Sequence, residues 1–333
     1  MQRQSLHRAG CWLADFEQSA LQFLSLQCCP AGLRQFSSQQ RPLLSYEVCG
    51  ADTHNASHSA FVAHGLLGLG RNWRSFCKRL AARLHEEQDR NWSIIPLDLR
   101  NHGKSARLDL PKPDNLREAA LDIASLVQQR FQSRPPEVIV GHSMGGKTVL
   151  AYLKLLKEGA LPSHPQPRQV WVLDSGLGKS SSKVTDVDRV LEEISEVQLP
   201  LASREALYDH MEKSGFSLGL RQWMGSNLVP ARGGQGLEWA FDLEGAKSMY
   251  RSYQESAFWD VVRHPPKGVF IHIVRAEQSD RWTEKAIADL EDAQKEAQGC
   301  LKLHVLPNAG HWLHADNPQG LLDMMIEHFP PAA

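Results

Sequence analysis

The chain has 333 residues, and its 37 basic and 38 acidic side chains give a formal net charge of −1 at pH 7. Such a balance gives no basic field for nucleic acid, and no apolar run reaches the roughly 20 residues that a membrane-spanning helix needs. The six cysteines show neither a Cys-x-x-Cys pair nor a grouping with histidine, so we expect no disulfide framework and no metal site.

The first 42 residues differ in composition from the rest of the chain. They contain four arginines and no lysine, only Asp15 and Glu17 are acidic, and serine and glutamine are frequent. That composition is typical of a transit peptide for a mitochondrion or a chloroplast. The alternative is a disordered extension on a cytoplasmic protein. In either case we expect the folded domain to span residues 43–333.

From residue 43 onward, short apolar runs alternate with amphipathic stretches. Predicted strands lie at 43–48, 60–63, 93–97, 138–140, 170–173, 269–274 and 301–306. Predicted helices lie at 72–84, with Asn72 as the N-cap, and at 116–131, 147–157, 287–298 and 318–329. Buried strands alternating with helices are typical of a mostly parallel sheet covered on both faces, so the sequence predicts an α/β fold.

One segment breaks the alternation. About ninety residues separate the predicted strands 170–173 and 269–274, and they contain helical patches near 187–196, 204–213 and 245–255. A structureless loop of that length is improbable, so we predict an inserted helical cap at about 175–265. Its large apolar side chains either line an acyl pocket or, for more than half of them, pack the cap itself: Trp223, Met224, Trp239, Phe241, Tyr250, Tyr253, Phe258 and Trp259.

The most informative motif is Gly-His-Ser-Met-Gly at 141–145, which lies between a predicted strand and a predicted helix. That order is the one a nucleophile elbow requires, because the tight turn exposes the serine hydroxyl above the sheet. The pentapeptide alone also occurs by chance in glycine-rich connections. In this context it predicts that Ser143 is a nucleophile.

A serine nucleophile needs a base and an acid, which in this architecture follow it along the chain in the order acid, histidine. His311 is the candidate base because it comes directly after the last predicted strand. The acid has several candidates: Asp174 ends one predicted strand, while Glu277 and Asp280 follow the next one. Many hydrolases take the acid from the later strand, which favours Asp280.

The tetrahedral intermediate of acyl transfer needs amide donors for its oxyanion. One is expected to be the N–H of Met144, directly after the nucleophile. The other is expected from the loop after an early strand, where His-Gly-Leu-Leu-Gly at 64–68 places the N–H of Leu66. The alternative is that these glycines simply form a turn.

Four motifs together carry a family resemblance: HGLLG at 64–68, DLRNHGKS at 98–105, GHSMGGK at 141–147 and NAGHWLHAD at 308–316. They resemble the α/β-hydrolase superfamily and, more narrowly, the α/β-hydrolase domain-containing protein 11 group and its small bacterial esterase relatives. The resemblance implies Ser143 as nucleophile and His311 as base, with no metal and no organic cofactor. It also implies Asp174 as the acid, which would make Asp280 incidental.

The sequence therefore predicts a serine hydrolase that cleaves a small-molecule carboxylic ester or thioester through an acyl-enzyme intermediate. A lipid acyltransferase or lipase-like enzyme is one alternative, since apolar residues are frequent in the predicted cap. A non-catalytic small-molecule receptor on the same fold is another. An epoxide hydrolase or a haloalkane dehalogenase is disfavoured, because those enzymes need a carboxylate where Ser143 stands.

Overall fold

A mostly parallel sheet forms the centre of the protein. In residues 41–180 and 185–330, which the computed structural model describes, seven strands form this sheet in the order β1-β3-β2-β4-β5-β8-β9, and β6 and β7 form a separate hairpin. The strands are β1 (Cys49–Gly50), β2 (His58–Ala63), β3 (Trp92–Leu97), β4 (Val138–His142), β5 (Gln169–Leu173), β6 (Leu228–Pro230), β7 (Leu237–Trp239), β8 (Phe270–Ala276) and β9 (Leu301–Leu306). All neighbours in the large sheet are parallel except β1 and β3. The predicted α/β fold is confirmed.

Helices connect the strands. They are α1 (Arg74–Gln88), α2 (Leu116–Arg130), α3 (Met144–Lys157), α4 (Asp186–Glu196), α5 (Arg204–Lys213), α6 (Leu218–Ser226), α7 (Leu243–Glu255), α8 (Trp259–Arg263), α9 (Glu284–Glu296), α10 (Leu313–Asp316) and α11 (Pro318–His328). Two short 3-10 helices, Gly70–Trp73 and Gly103–Arg107, follow β2 and β3.

The sheet is buried on both faces, as continuous apolar strands require. On one face, α1 and α11 join a single hydrophobic cluster with alternate strand residues such as Val62 and Val140. The residues between them, such as Phe61 and Ile139, are equally buried and point to the opposite face, because side chains alternate along a strand. Helices α2 and α3 contact each other, and α3 contacts β4 and β5.

The predicted edge strand at 43–48 is wrong in its bounds. The regular strand β1 has only two residues, and Tyr46 forms an isolated antiparallel bridge with Leu97 in the same register. Between them the N–H of Glu47 donates to the carbonyl oxygen of Pro96 at 3.1 Å. Proline has no N–H to return that bond, so the ladder is interrupted at this pair.

Asn72 is not the N-cap of a helix. It lies inside the 3-10 helix Gly70–Trp73, and its Oδ1 accepts a hydrogen bond from the N–H of Leu69 at 2.7 Å. Helix α1 begins two residues later than predicted and ends at Gln88 rather than at residue 84. The 3-10 turn keeps the chain close to the end of β3, where Asp98 Oδ1 accepts the N–H of Gly70 at 2.9 Å.

The long connection between β5 and β8 is structured. Its described residues contain α4 to α8 and the β6–β7 hairpin, and we refer to residues 175–269 as the insertion. Polar side chains cap the N-termini of four of its helices, α4 to α7, including Thr185 before α4 and Asp242 before α7. Six of the eight large apolar residues named above are buried: Met224, Trp239, Phe241, Tyr250, Tyr253 and Phe258.

The β6–β7 hairpin of the insertion lacks a strand pattern in the sequence. Each strand has only three residues, and Pro230 ends the first one.

No helix among the described residues is long and apolar enough to cross a membrane. The transit peptide predicted for residues 1–42 lies outside the described residues, apart from its last two positions.

Candidate active site

Ser143 occupies a sharp turn between β4 and α3. Its backbone has φ 52° and ψ −118°, a conformation that costs free energy in a residue with a side chain. The turn is tight enough that a Cβ on Gly141 would lie 2.3 Å from the carbonyl oxygen of Gly145, and a Cβ on Gly145 would lie 2.4 Å from that of Ala63. Only glycine fits at either position. The N–H of Ser143 donates to the carbonyl oxygen of Leu173 at 2.9 Å, which fixes the turn to the end of β5.

Asp174 and His311 are paired. Asp174 directly follows β5 and is wholly buried, and its Oδ2 accepts a hydrogen bond from Nδ1 of His311 at 2.8 Å. His311 reaches it from the loop that follows β9. Asp280, the alternative acid, makes no hydrogen bond to His311 among the described residues.

The carboxylate of Asp174 is surrounded by donors from the last residue of β8 and from the loop after it. Its Oδ1 accepts the backbone N–H of Ala276 at 3.1 Å and the indole N–H of Trp282 at 2.6 Å. Its Oδ2 accepts the hydroxyl of Ser279 at 2.7 Å in addition to the imidazole. Sequence reasoning missed Ser279 and Trp282. The one signal available was their place in the loop where a second acid was sought.

These contacts keep Asp174 ionised. Burial by itself raises the pKa of this carboxyl group, but the hydrogen bonds from His311, Ser279 and Trp282 bring its pKa below the ordinary value. Hydrogen bonds to the charged form act in this direction wherever they outweigh desolvation. The aspartate is therefore a carboxylate at neutral pH.

His311 is neutral under the same conditions. Burial lowers the pKa of His311 below its ordinary 6.5; the hydrogen bond to Asp174 opposes that shift, and the positive charge of Arg281 adds to it. Because Nδ1 carries the proton that is donated to the carboxylate, Nε2 is left as an acceptor. That tautomer is the one a general base needs.

The serine and the histidine lie in adjoining segments. His142, directly before Ser143, donates from Nε2 to the backbone carbonyl oxygen of His311 at 2.7 Å, and the two imidazole rings are 4.7 Å apart between centroids. Among the described residues, no hydrogen bond joins Oγ of Ser143 to the ring of His311. The structure thus brings Asp174 and His311 into direct contact and places Ser143 beside them without a direct bond.

The loop at 64–68 lies against the serine. A Cβ on Gly65 would be 3.1 Å from Cβ of Ser143. Within this loop the N–H of Leu67 donates to Nε2 of His102 at 3.0 Å, and the N–H of Gly68 donates to the carbonyl oxygen of Gly65 at 3.0 Å. In the described part of the chain, the N–H groups of Leu66 and Met144 have no protein acceptor.

Two buried histidines hold that loop in place. His64 donates from Nδ1 to the carbonyl oxygen of Gly65 at 2.7 Å and accepts the N–H of Leu99 on Nε2 at 3.0 Å. His102 donates from Nδ1 to the carbonyl oxygen of Arg100 at 2.8 Å. Burial lowers the pKa of His64 to about 4 and that of His102 to about 3, so both rings stay neutral and act as donor and acceptor at once.

The groups that gather at this edge of the sheet are a hydroxyl, an imidazole, a carboxylate and two amides without acceptors. Such a set suits covalent acyl transfer, in which a base activates the nucleophile and amides stabilise the oxyanion. Separately, no cluster of three or more His, Cys, Asp or Glu side chains in residues 41–180 and 185–330 is arranged to hold a metal ion.

The fold and the elbow serine define an α/β-hydrolase architecture. The sequence model of the alpha/beta hydrolase family matches residues 60–324, which is most of the chain. The protein therefore belongs to the α/β-hydrolase family, and the resemblance found in the sequence motifs is confirmed.

Two curated relatives align over most of their length. The chain is 26% identical over 305 residues to the mouse (Mus musculus) sn-1-specific diacylglycerol lipase ABHD11, covering 89% of this chain and 88% of the mouse protein. It is 24% identical over 278 residues to esterase YbfF of Escherichia coli K12, covering 81% and 91%. Among solved structures, a marine microorganism esterase superposes with a TM-score of 0.66 at 23% identity, covering 86% of this chain and 98% of that one. At that identity the superposition shows the fold alone.

Proposed function

We propose that this protein is a serine hydrolase that cleaves a carboxylic ester or thioester through an acyl-enzyme intermediate, with Ser143, His311 and Asp174 as its triad. The observation that carries the proposal is the 2.8 Å hydrogen bond between His311 Nδ1 and Asp174 Oδ2, next to a serine held in an elbow. That bond orients the imidazole and stabilises the charge it gains when it takes a proton. The esterase and lipase relatives support the same reaction class.

In the acylation step, Nε2 of His311 takes the Ser143 proton while Oγ attacks the substrate carbonyl carbon. The oxyanion of the tetrahedral intermediate accepts the N–H groups of Leu66 and Met144, which no protein acceptor occupies in the described residues. As the intermediate collapses, the imidazolium returns its proton to the departing alcohol or thiol. In the second step His311 takes a proton from a water molecule, whose oxygen attacks the acyl carbon; as this second intermediate collapses, the imidazolium returns the proton to Oγ of Ser143 and the acid is released.

For this reaction, Oγ of Ser143 must come within hydrogen-bond distance of Nε2 of His311. Catalytic hydrogen bonds are often long or poorly aligned in an unliganded enzyme and tighten in the substrate complex. The hydrogen bond from His142 Nε2 to the backbone of His311 holds the two segments together while the Ser143 side chain rotates toward the ring. The Asp174 pair limits the motion of His311 itself.

We also propose that the insertion forms a cap over this site and binds the acyl group of the substrate. The ring of Trp223 in α6 lies 5.7 Å from that of Trp312, the residue after the base. In the same last turn of α6, the carbonyl oxygen of Ser226 accepts a hydrogen bond from the guanidinium of Arg71. Helix α6 therefore bridges the loop that carries His311 and the 3-10 helix beside the proposed oxyanion loop. One of the two curated relatives is named a diacylglycerol lipase and the other an esterase, so lipid esters are the first substrates to test.

The test is a panel of p-nitrophenyl esters and acyl thioesters of increasing chain length, assayed with the wild type and Ser143→Ala. We expect the substitution to lower kcat by about 10⁴-fold or more, because no other group supplies the nucleophile. Ser163→Ala is the control, since Ser163 is exposed and lies beyond the helix that follows the elbow. Circular dichroism checks that both variants are folded.

Full activity in Ser143→Ala would contradict the assignment of Ser143 as the nucleophile. Acyl transfer to an added alcohol faster than release of free acid would make the protein an acyltransferase instead. Tight binding of an ester without turnover would make it a receptor.

A further inference from the structure

Lys147 is a buried cation that the proposed reaction does not use. It lies in the first turns of α3, four residues after the proposed nucleophile, and its side chain is wholly buried. Its Nζ donates to three backbone carbonyl oxygens, those of Gly178 at 2.7 Å, Tyr253 at 2.7 Å and Ser256 at 2.9 Å. All three protons of the ammonium are thus engaged, and no carboxylate is among its partners in the described part of the chain.

The three acceptors belong to two separate segments of the insertion. Gly178 lies at its start, four residues after Asp174, whereas Tyr253 and Ser256 lie at the end of α7. Two backbone hydrogen bonds join the same segments on either side of the ammonium: Ser180 N–H to Gln254 O at 2.9 Å and Phe258 N–H to Leu177 O at 2.9 Å. Lys147 adds the helix that carries the elbow as a third element to this junction.

The ammonium suits the end of a helix. The last carbonyl groups of α7 have no partners within the helix, and a cation placed there meets the negative end of the helix dipole. The ring of Tyr253 adds a cation–π contact, with Nζ 4.2 Å from its centroid. Burial lowers the pKa of Lys147 to about 7, so keeping a charge at this place is unfavourable unless the three hydrogen bonds are formed.

The same junction reaches the acid of the proposed triad. A Cβ on Gly176 would lie 4.0 Å from the hydroxyl of Tyr253, and a Cβ on Gly146 would lie 2.6 Å from Cβ of Ser175. Residues 175 and 176 directly follow Asp174. One compact contact region therefore links α3, the residues after the acid, and the last long helix of the insertion.

We propose that Lys147 is a positioning residue, which fastens the start of the insertion and the end of α7 to the nucleophile helix and thereby sets how the insertion holds the substrate. The inference rests on the proposed function only for its consequence, substrate binding; the three hydrogen bonds exist independently of it. Because Lys147 acts through the insertion, its loss weakens the binding of a long acyl chain more than it slows the reaction of a short one.

The kinetic test compares Lys147→Met, Lys147→Gln and Lys154→Met on p-nitrophenyl acetate and p-nitrophenyl decanoate. Methionine keeps the length of the side chain and removes every donor, while glutamine keeps two donors without the charge. Lys154 is the control, because it lies on the same helix with its side chain 49% exposed.

For the decanoate ester, we expect Lys147→Met to raise KM by about tenfold or more, as the loss of several hydrogen bonds to buried carbonyls implies. For the acetate ester, kcat stays within about twofold of the wild type, since no group of the proposed triad is altered. Lys147→Gln gives an intermediate KM. An equal fall in kcat on both esters, or no change in either constant, overturns the proposal.

A second readout does not depend on activity. Limited proteolysis with mass spectrometry measures how often the insertion opens, because cleavage reports local unfolding. We expect cleavage within residues 178–256 to be about tenfold faster in Lys147→Met than in Lys154→Met, with glutamine again intermediate. Equal cleavage rates in the two methionine variants overturn the proposal. If the wild type cleaves no ester while the proteolysis result holds, the proposed function has failed and the fastening role of Lys147 stands.

Discussion

The ends of β5 and β8 are neighbours in the sheet, and each is followed by acidic side chains with different roles. Asp174, after β5, is wholly buried and accepts the hydrogen bond of His311. Asp280, after β8, is exposed and has no such bond in the described residues. Instead, the last residue of β8 and the loop after it supply three of the donors that surround Asp174, namely Ala276, Ser279 and Trp282. Two strand ends thus contribute to one site: the end of β5 provides the carboxylate, and the end of β8 provides hydrogen-bond donors to it.

Backbone geometry accounts for the difference. Asp174 has a positive φ of 43°, which turns the chain sharply at the strand end, and its N–H donates to the carbonyl oxygen of Val274 at 2.8 Å. On the β8 side, Glu277 Oε2 accepts the N–H of Asn308 at 2.9 Å and so braces the loop that leads to His311. The third acidic residue, Asp280, only adds a weak favourable field at the imidazole.

The largest expected effect separates the two aspartates. Asp174→Asn should lower kcat/KM by about 10⁴-fold, because an amide favours the wrong imidazole tautomer and cannot stabilise the imidazolium. Asp280→Asn should change kcat/KM by about twofold at most, as expected for the loss of an exposed charge that solvent and salt screen. The measurement is steady-state hydrolysis of one short ester by both variants. The reverse ranking would place the acid in the loop after β8.

A smaller effect is expected when hydrogen-bond donors to the Asp174 carboxylate are removed. Ser279→Ala and Trp282→Phe each remove one donor from Asp174, and a hydrogen bond to a charged group corresponds to a rate change of about tenfold or more. We therefore expect kcat/KM to fall by about tenfold in each variant, with Asp280→Asn as the control from the same loop. If both variants match the wild type, the donors of the β8 loop have no part in catalysis.

The pH dependence gives the most graded test. A protonated His311 cannot accept the serine proton, and burial disfavours the protonated ring, so the neutral form persists to lower pH. The acid limb of kcat/KM should have its midpoint below 6.5, in line with the lowered pKa of His311. In Ser279→Ala the midpoint should move upward, because a less neutralised Asp174 favours the imidazolium. A wild-type midpoint above 6.5, or a downward shift in the variant, would contradict this reading.

The sheet is readable in the sequence because its strands are short continuous apolar runs, such as the one before the elbow. The positions of Gly141 and Gly145 are equally readable, since the elbow admits no side chain at either place. The break in the edge strand depends on which neighbour Pro96 faces, and that is a property of the assembled sheet. The β6–β7 hairpin is too short to leave a periodic pattern.

The hydrogen-bond partners of the candidate site residues are harder to predict from the sequence. The pairing of His311 with one of two nearby carboxylates depends on side-chain directions at strand ends, which composition and spacing do not contain. Ser279 and Trp282 act as donors only because the loop after β8 folds back over β5. In the sequence, Lys147 is an ordinary helix residue. Its hydrogen bonds to the carbonyl oxygens of Gly178 and Tyr253 follow only from how the insertion packs on the helix.

The most direct measurement is covalent labelling with a fluorophosphonate, followed by peptide mapping, in the wild type and in His311→Ala. A fluorophosphonate reacts with a serine hydroxyl whose proton is taken by a neighbouring base. We predict a single label on Ser143 in the wild type and labelling slower by about 10³-fold or more in His311→Ala. A label on another residue, or equal labelling rates in the two proteins, would contradict the activation of Ser143 by His311.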